Sequence, residues 1–431
     1  MKQKLVRGVR KALPSEAVSQ IEEVYRKGRV KLVSARYGNP AKGLKVIAVT
    51  GTNGKTTTVN YINEILKEAK FKTAMFSTAV VEVDGKRKLN DLNMTVADTA
   101  IMQRFFRDAK MAHVDYVVLE VTSIALHQHK LDGVPVLAAI MTNLTQDHLD
   151  AHKTMERYAE AKAKLFKLEP EFIILNRDDE WFDYFNQFPA GAQKITYGKH
   201  EDAEAKIEYT KLYKKGSEAT VVIDHQTKLE LATALPGEYN IYNLTAAAAV
   251  SYVLGVPVND IVEGVANLEG VPGRFERVVD GLGYDVIVDY AHTPDALDKL
   301  LEAAKSITKN RVILVFGATG DRDKSKRPIM GDIAAKRADR IILTDEESYG
   351  EDPKAIRDQV MEGIEQAGAG AKVTEIADRR EAIEKAMSIA TKGDTILVTG
   401  MGHEQYRIVN GEKLPWNDAV VVREIASNIK S

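Results

Sequence analysis

The 431-residue chain contains no cysteine. Disulfide scaffolds, zinc–thiolate sites, iron–sulfur clusters and cysteine nucleophiles are thereby excluded. No apolar run approaches the roughly 18 residues that span a bilayer. The opening MKQKLVRGVRKALPSEA has no secretory apolar core, which predicts a cytoplasmic protein. An excess of one charge is missing too. The 60 basic and 62 acidic residues leave a formal charge of −2, which argues against nucleic acid as a partner. What is present, 44% hydrophobic and 28% charged residues, suits a chain that buries real cores. At roughly 100–200 residues per domain, its length predicts two to four domains.

Residues 1–43 stand apart, with eleven Lys or Arg against three acids. Val18, Ile21, Val24 and Tyr25 fall near helical spacing in Ser15–Val33, with Ser15 as a candidate cap. From Leu44 onward, short β-branched runs alternate with amphipathic stretches. The runs are 45–50, 116–121, 136–142, 172–175, 286–290, 312–316, 340–344 and 395–399. Several are almost wholly apolar, as strands covered on both faces must be. Their alternation with helices predicts an α/β fold of parallel sheets with right-handed crossovers. Residues 206–234 alternate in short runs and predict an antiparallel insert. The Gly/Pro pause at 268–274 (LEGVPGR) is the best boundary. The expected division is a basic helical segment (1–43), a central domain (44–270) and a smaller C-terminal domain (271–431).

The strongest local signal is VIAVTGTNGKTTT (46–58), an apolar strand that runs through Gly51, Thr52, Asn53 and Gly54 into a helix. Such glycines let backbone N–H groups turn toward phosphate oxygens, and the helix N-terminus adds partial positive charge. Lys55 offers a cation to the terminal phosphates, and Thr56, followed by Thr57, offers a hydroxyl to Mg²⁺. Val49 stands where the longer form of this loop has glycine, so the loop is a shortened variant. Glu120 ends DYVVLE (115–120), at the strand edge where open α/β sheets hold ligands. An acid there can hold Mg²⁺ directly or through water. Asp147, His148 and Asp150 cluster after the run 136–142. His148 and His152, four apart, have the spacing of a zinc pair, and His127 and His129 form another candidate pair. Surface histidines are the plainer reading of the latter, and Lys162 and Lys164 read alone as solvated lysines.

The series TGTNGKTTT (50–58), LEVTS (119–123), TNLTQDHLD (142–150), YAEAKAKLF (158–166), NRDD (176–179), GEYNIYN (237–243), PGRFE (272–276), DYAHTPDAL (289–297), FGATGDRDKSKRP (316–328) and TGMGHE (399–404) resembles the Mur ligases. Within that family it is most similar to the UDP-N-acetylmuramoyl-tripeptide synthetases. The resemblance implies a central P-loop domain and a Rossmann-like C-terminal domain. It also implies ATP-dependent amide-bond formation through an acyl phosphate, in synthesis of the cell-wall peptide. By motif, Lys55 and Thr56 would bind the phosphates and a first Mg²⁺ with Glu120, and His148 would hold a second. Lys162 matches the lysine that the family carbamylates. Asn240, Asn243, Arg274, Asp289 and His292 match residues near adenine and ribose. Thr95, Thr122 and Lys130 match contacts to the sugar-peptide acceptor. The expected partners are ATP, an amino acid and a UDP-sugar peptide.

Two departures bear on specificity. The family's N-terminal UDP-holding domain is expected to be absent or reduced to the basic segment, which could face a diphosphate or, with a lipid-linked acceptor, a membrane surface. The family's Asp-Asn-Pro-Arg motif, which reads meso-diaminopimelate, aligns with Glu346, Glu347, Ser348 and Tyr349. Two acids and a tyrosine in these places predict a cationic amino acid such as lysine or ornithine, while meso-diaminopimelate stays open because Tyr349 can donate one hydrogen bond. Arg322, Gly400 and Glu404 match further amino-acid contacts. The competing readings are a folyl-polyglutamate or polyglutamate ligase and a non-catalytic ATP-binding subunit.

Overall fold

The computed structural model describes residues 15–90, 98–409 and 411–430. Eleven strands form one sheet. They are Val46–Thr50 (β1), Thr73–Phe76 (β2), Val80–Val83 (β3), Lys86–Leu89 (β4), Tyr116–Glu120 (β5), Val136–Met141 (β6), Phe172–Asn176 (β7), Gln193–Gly198 (β8), Ala205–Tyr213 (β9), Gly216–Ile223 (β10) and Thr227–Thr233 (β11). Their spatial order is β11-β10-β9-β8-β7-β6-β1-β5-β2-β3-β4. The middle pairings are parallel, and the antiparallel pairs β9/β10, β10/β11, β2/β3 and β3/β4 lie toward the edges. The alternating stretch at 206–234 therefore extends the main sheet rather than forming a separate one.

Strand β1 shows why its sequence is apolar throughout. Ile47 and Val49 enter one core, with Val59, Ile62 and Ile140, while Val46 and Ala48 enter the core on the opposite face. Side chains alternate across a strand, so a strand covered on both faces needs apolar residues at every position.

A second sheet contains Glu276–Val279 (β12), Asp285–Asp289 (β13), Val312–Phe316 (β14), Arg340–Leu343 (β15), Val373–Glu375 (β16) and Thr395–Thr399 (β17). The order is β12-β13-β17-β14-β15-β16, parallel except for β12. It too is sandwiched between two cores. A hairpin of Tyr406–Val409 (β18) and Glu412–Pro415 (β19) bonds to residues 347–349 through Ile408.

A helix spans Ser15–Arg36 as the N-terminal spacing predicts, but with a different inward face. Ile21, Val24, Tyr25 and Leu32 are exposed, whereas Val30 is buried. The helix meets the helix Thr99–Met111, and Arg29 pairs with that helix's N-cap Asp98 at 2.8 Å. Packing is thus set by the Val30 side of the helix rather than by the apolar periodicity of residues 18–25. The side chains of Ser15 and Val18 lie outside the described residues. No described helix is long and apolar enough to cross a membrane.

Candidate active site

Strand order brings the sequence-separated motifs together. β5 and β6 flank β1, with Val49 opposite Glu120 and Thr50 opposite Met141. The segments that leave these three carboxyl ends are the phosphate loop, residues 121–122 and residues 142–148. Ligands of open α/β sheets bind at such a point, where the connections diverge.

Gly54 takes a left-handed φ of 85°, and a Cβ there would lie 2.2 Å from Asn243 Oδ1. Only glycine fits this contact between the loop and the helix Glu238–Val253. The helix Lys55–Glu68 starts at once. Lys55 Nζ donates to the carbonyls of Gly51 (3.0 Å) and Thr52 (2.7 Å). Burial holds its pKa below the usual lysine value. Thr56 Oγ1 donates to Glu120 Oε2 at 2.9 Å, and Thr78 donates its N–H and hydroxyl to the same carboxylate at 2.8 and 2.9 Å. These hard oxygens suit Mg²⁺, which keeps most of its shell for water and phosphate.

On the other side of β1, Asn53 N–H donates to Asn143 Oδ1 at 2.9 Å, and Thr142 Oγ1 donates to Asn53 O at 2.7 Å. Asp147 is buried beside His148, with Nε2 to Oδ2 at 3.3 Å. Burial alone would raise the Asp147 pKa, yet His148 and then Lys326 hold it far below the carboxylate range. Lys162 is 1% exposed. Its Nζ lies 2.7 Å from Gly51 O and 4.5 Å from the Tyr158 ring centroid. Burial, then the charge of Lys55, lowers its pKa well below the usual value. The solvated reading of this lysine is therefore wrong, because its helix turns that side toward the phosphate loop.

The zinc reading does not hold. His152 Nε2 meets Ser123 Oγ at 2.9 Å and its ring stacks on Tyr158, while His148 turns to Asp147. His129 is buried rather than at the surface, with Nδ1 at 3.2 Å from Asp132. Among the described residues no three His, Cys, Asp or Glu gather as a metal site.

The carboxyl edge of the second sheet closes the cleft. Arg274 Nη2 donates to Thr56 Oγ1 at 3.0 Å, and its guanidinium stacks 4.5 Å from the Tyr290 ring. Arg274 thus lies against Thr56, because the turn before β12 overhangs the glycine-rich loop. His292 is there too, where burial and then Lys326 lower its pKa to about 3. Asp289 accepts the N–H groups of Phe275 and Ala291 at 2.7 and 2.8 Å and so fixes both turns. Asn53 Nδ2 reaches Asp295 at 2.7 Å. Gln146 Nε2 reaches Ser325 Oγ at 3.0 Å, and Lys326 Nζ lies 3.6 Å from Asp147. Asn240 and Asn243 are hydrogen-bonded to each other at 3.2 Å on the same wall.

One cavity of about 1280 Å³ is lined by Lys55, Thr56, Glu120, Asp147, His148 and Arg274 but not by Lys162, and it continues to Thr122, Lys130, Arg322, Glu346, Glu347, Tyr349, Gly400 and Glu404. Thr122 caps the short helix Ser123–His127. Thr95 lies outside the described residues. At the far end, Glu346 accepts the Gly317 N–H (3.1 Å) and the Thr319 hydroxyl (3.2 Å). A Cβ on Gly400, whose φ is 103°, would strike that carboxylate at 2.0 Å. Glu347 accepts the Tyr349 hydroxyl at 2.9 Å and the Ile408 N–H at 3.1 Å. Glu404 accepts from Tyr290 at 3.2 Å. Burial, then repulsion by Glu347, raises its pKa to about 9. Arg322 stacks over Tyr349 at 5.1 Å.

Sequence reasoning did not single out Thr78, Tyr290, Gln146 or Lys326. Only the position of Lys326 inside DRDKSKRP pointed to it, and Lys324 in the same run is indistinguishable on paper.

The Mur ligase middle domain matches residues 49–251, and the Mur ligase glutamate ligase domain matches 273–402. The chain is 39% identical over 406 residues to the "UDP-N-acetylmuramoyl-L-alanyl-D-glutamate--2,6-diaminopimelate ligase" of Clostridium botulinum, covering 94% of this chain and 82% of that one. A solved structure of a ligase with the same printed name superposes with a TM-score of 0.64 at 32% identity, covering 95% of this chain and 83% of the other. Mycobacterium tuberculosis folylpolyglutamate synthase superposes with a TM-score of 0.71, but at 18% identity, covering 86% and 91%. That second likeness speaks for the fold alone.

Proposed function

This chain belongs to the Mur ligase family, and on that premise we propose that it joins an amino acid bearing a distal ammonium to the free carboxyl of a UDP-N-acetylmuramoyl-dipeptide. The reaction class is that of the family, ATP-dependent and ADP-forming amide synthesis. The carrying observation is the single cavity that runs from Lys55, Thr56 and Arg274 to Glu346, Glu347 and Glu404. It has cations where phosphates belong and acids at the other end.

A carboxylate is a poor acyl donor. Attack on the γ-phosphorus expels ADP and makes an acyl phosphate. The amine then attacks the carbonyl carbon, the C–O bond breaks, phosphate leaves and the nitrogen sheds a proton. Two anions must meet in the first step, so Lys55 and Arg274 offset their repulsion. Thr56 and Glu120 would hold Mg²⁺, which when bound supplies further neutralising charge. His148 is assigned to a second ion, with a carbamate on Lys162. The low pKa of that buried amine supports this reading, since only a neutral amine combines with CO₂.

Three acidic side chains at the amino-acid end, of which Glu404 ionises only as a cation binds, with Arg322 as the neighbouring cation, favour a side chain ending in ammonium. The test is ADP release by purified protein with Mg²⁺, UDP-N-acetylmuramoyl-dipeptide and a panel of amino acids, with mass spectrometry of the product. Turnover restricted to neutral or acidic amino acids would refute the charge argument. Turnover only with a folyl or polyglutamyl acceptor would refute the acceptor.

A further inference from the structure

We propose that Lys326 is a catalytic residue that binds a non-bridging oxygen of the phosphoryl group while it passes from ATP to the acceptor carboxylate. This rests on the ligase reading of the cavity. Lys326 opens the helix Lys326–Arg337 and is only 3% exposed. Lysines are rarely buried without a tight partner. Its nearest one is Asp147 Oδ1 at 3.6 Å, beyond hydrogen-bond length. The ammonium therefore keeps its donors, and it lines the cavity.

Its neighbours are engaged elsewhere. Lys324 is exposed and pairs with Glu351 at 2.8 Å, and Arg327 bonds the same carboxylate at 2.9 Å. Lys55 is turned to loop carbonyls, Arg274 to Thr56 and Lys299 to Asp295. Gln146 clamps the Lys326 loop to the first lobe through Ser325 at 3.0 Å and Asp323 at 3.3 Å. The ammonium thus stands over the segment that carries Asp147 and His148, contributed by the opposite lobe.

In the transfer, the bond from γ-phosphorus to the β-bridging oxygen breaks and its electron pair leaves with ADP. A carboxylate oxygen forms the new bond to phosphorus. Lys326 transfers no proton in this step. It faces the charge carried by the γ-phosphoryl oxygens, which ADP lacks. Because it comes from the second lobe, transfer requires the lobes to be together.

The experiment compares Mg²⁺-AMPPNP and Mg²⁺-ADP binding by titration calorimetry in wild type, Lys326→Met, Lys326→Arg and the exposed control Lys324→Met. Lys326→Met should weaken AMPPNP by about tenfold or more and ADP by less than twofold, with partial recovery in Lys326→Arg. The acyl phosphate, trapped by hydroxylamine, should fall in parallel. Equal losses for both nucleotides, or none, would overturn the proposal and leave Lys326 a lobe-to-lobe tie. If Lys326→Met does not fold, Lys326→Gln carries the same comparison. A wild type that binds neither nucleotide would instead overturn the ligase reading.

Discussion

Replacing Glu347 by glutamine tests the amino-acid end of the cavity with little disturbance. The carboxylate accepts from Tyr349 at Oε2 and from Ile408 N–H at Oε1. In glutamine the amide oxygen keeps the Ile408 N–H and the amide NH2 donates to the Tyr349 hydroxyl, so both neighbours keep a partner while the negative charge is lost. A hydrogen bond to a charged partner is worth about 1.5–3 kcal/mol, or about tenfold to 150-fold in a rate or binding constant. Norleucine is the control substrate, because it ends in methyl where lysine has ammonium. In wild type, lysine should exceed norleucine in kcat/KM by at least this factor. In Glu347→Gln, the value for lysine should fall by about tenfold to 150-fold while that for norleucine changes less than threefold. ADP release coupled to NADH oxidation measures both. Parallel losses would mean that Glu347 only supports the β18–β19 hairpin. A wild type indifferent to the terminal ammonium would refute the charge argument outright.

Glu404 adds a pH signature. Its folded pKa of about 9 leaves it protonated in the free protein at neutral pH, and a bound cation favours its ionised form. The lysine-to-norleucine ratio should therefore rise with pH up to about 9, and a flat ratio would refute this. For stability the sign is reversed. The folded state binds more protons than the unfolded state between roughly pH 4.3 and 9, so this group's contribution declines as pH rises. Gly54→Ala forces a side chain against Asn243 at positive φ. It should weaken ATP binding more than tenfold by calorimetry, and an unchanged affinity would contradict the tight loop. Lys162→Ala should lower ligation more than 100-fold with an unaltered melting curve, and ¹³C-bicarbonate should label wild type but not the variant. Near-normal turnover would remove the carbamate. Arg379 and Asp418 are both fully buried and joined by bonds of 2.8 and 2.7 Å. Asp418→Asn strands the guanidinium and should cost about 3–5 kcal/mol in urea unfolding; a loss below 1 kcal/mol would contradict this.

The eight apolar runs read from the sequence all become strands, because a parallel strand covered on both faces has no choice of composition. The strands not read, such as β4 (KRKL), β16 (VTE) and the β18–β19 hairpin, are short, polar or at an edge. Their pairing partners define them, and nothing local does. The site divides in the same way. Gly54 and Thr56 were legible because backbone geometry and phosphate chemistry restrict those positions to one or two residue types. Arg274 was legible as a candidate residue, but its contact was not. Its contact with Thr56 depends on how the second sheet sits over the first, and no spacing along the chain encodes that.

The same arrangement explains why the site is built from two sheets. The first supplies, from the ends of β1, β5 and β6, a fixed cradle whose members are neighbours by strand order alone. Such a cradle can hold ATP without committing it. Arg274 at Thr56 and Gln146 at Ser325 join it to the second sheet, whose own carboxyl ends carry Glu346, Glu347 and Glu404. An acyl phosphate free in water would hydrolyse. A cleft that assembles its phosphate contacts only when the amino-acid end is also in place restricts that intermediate to a cavity already facing the amine. Loosening one tie between the lobes should therefore raise ATP hydrolysis relative to ligation. Gln146→Ala, which removes the contacts to Asp323 and Ser325 without touching the phosphate loop, is the variant in which ADP release should exceed amide product. A strict one-to-one ratio in that variant would show that the lobes meet without this tie.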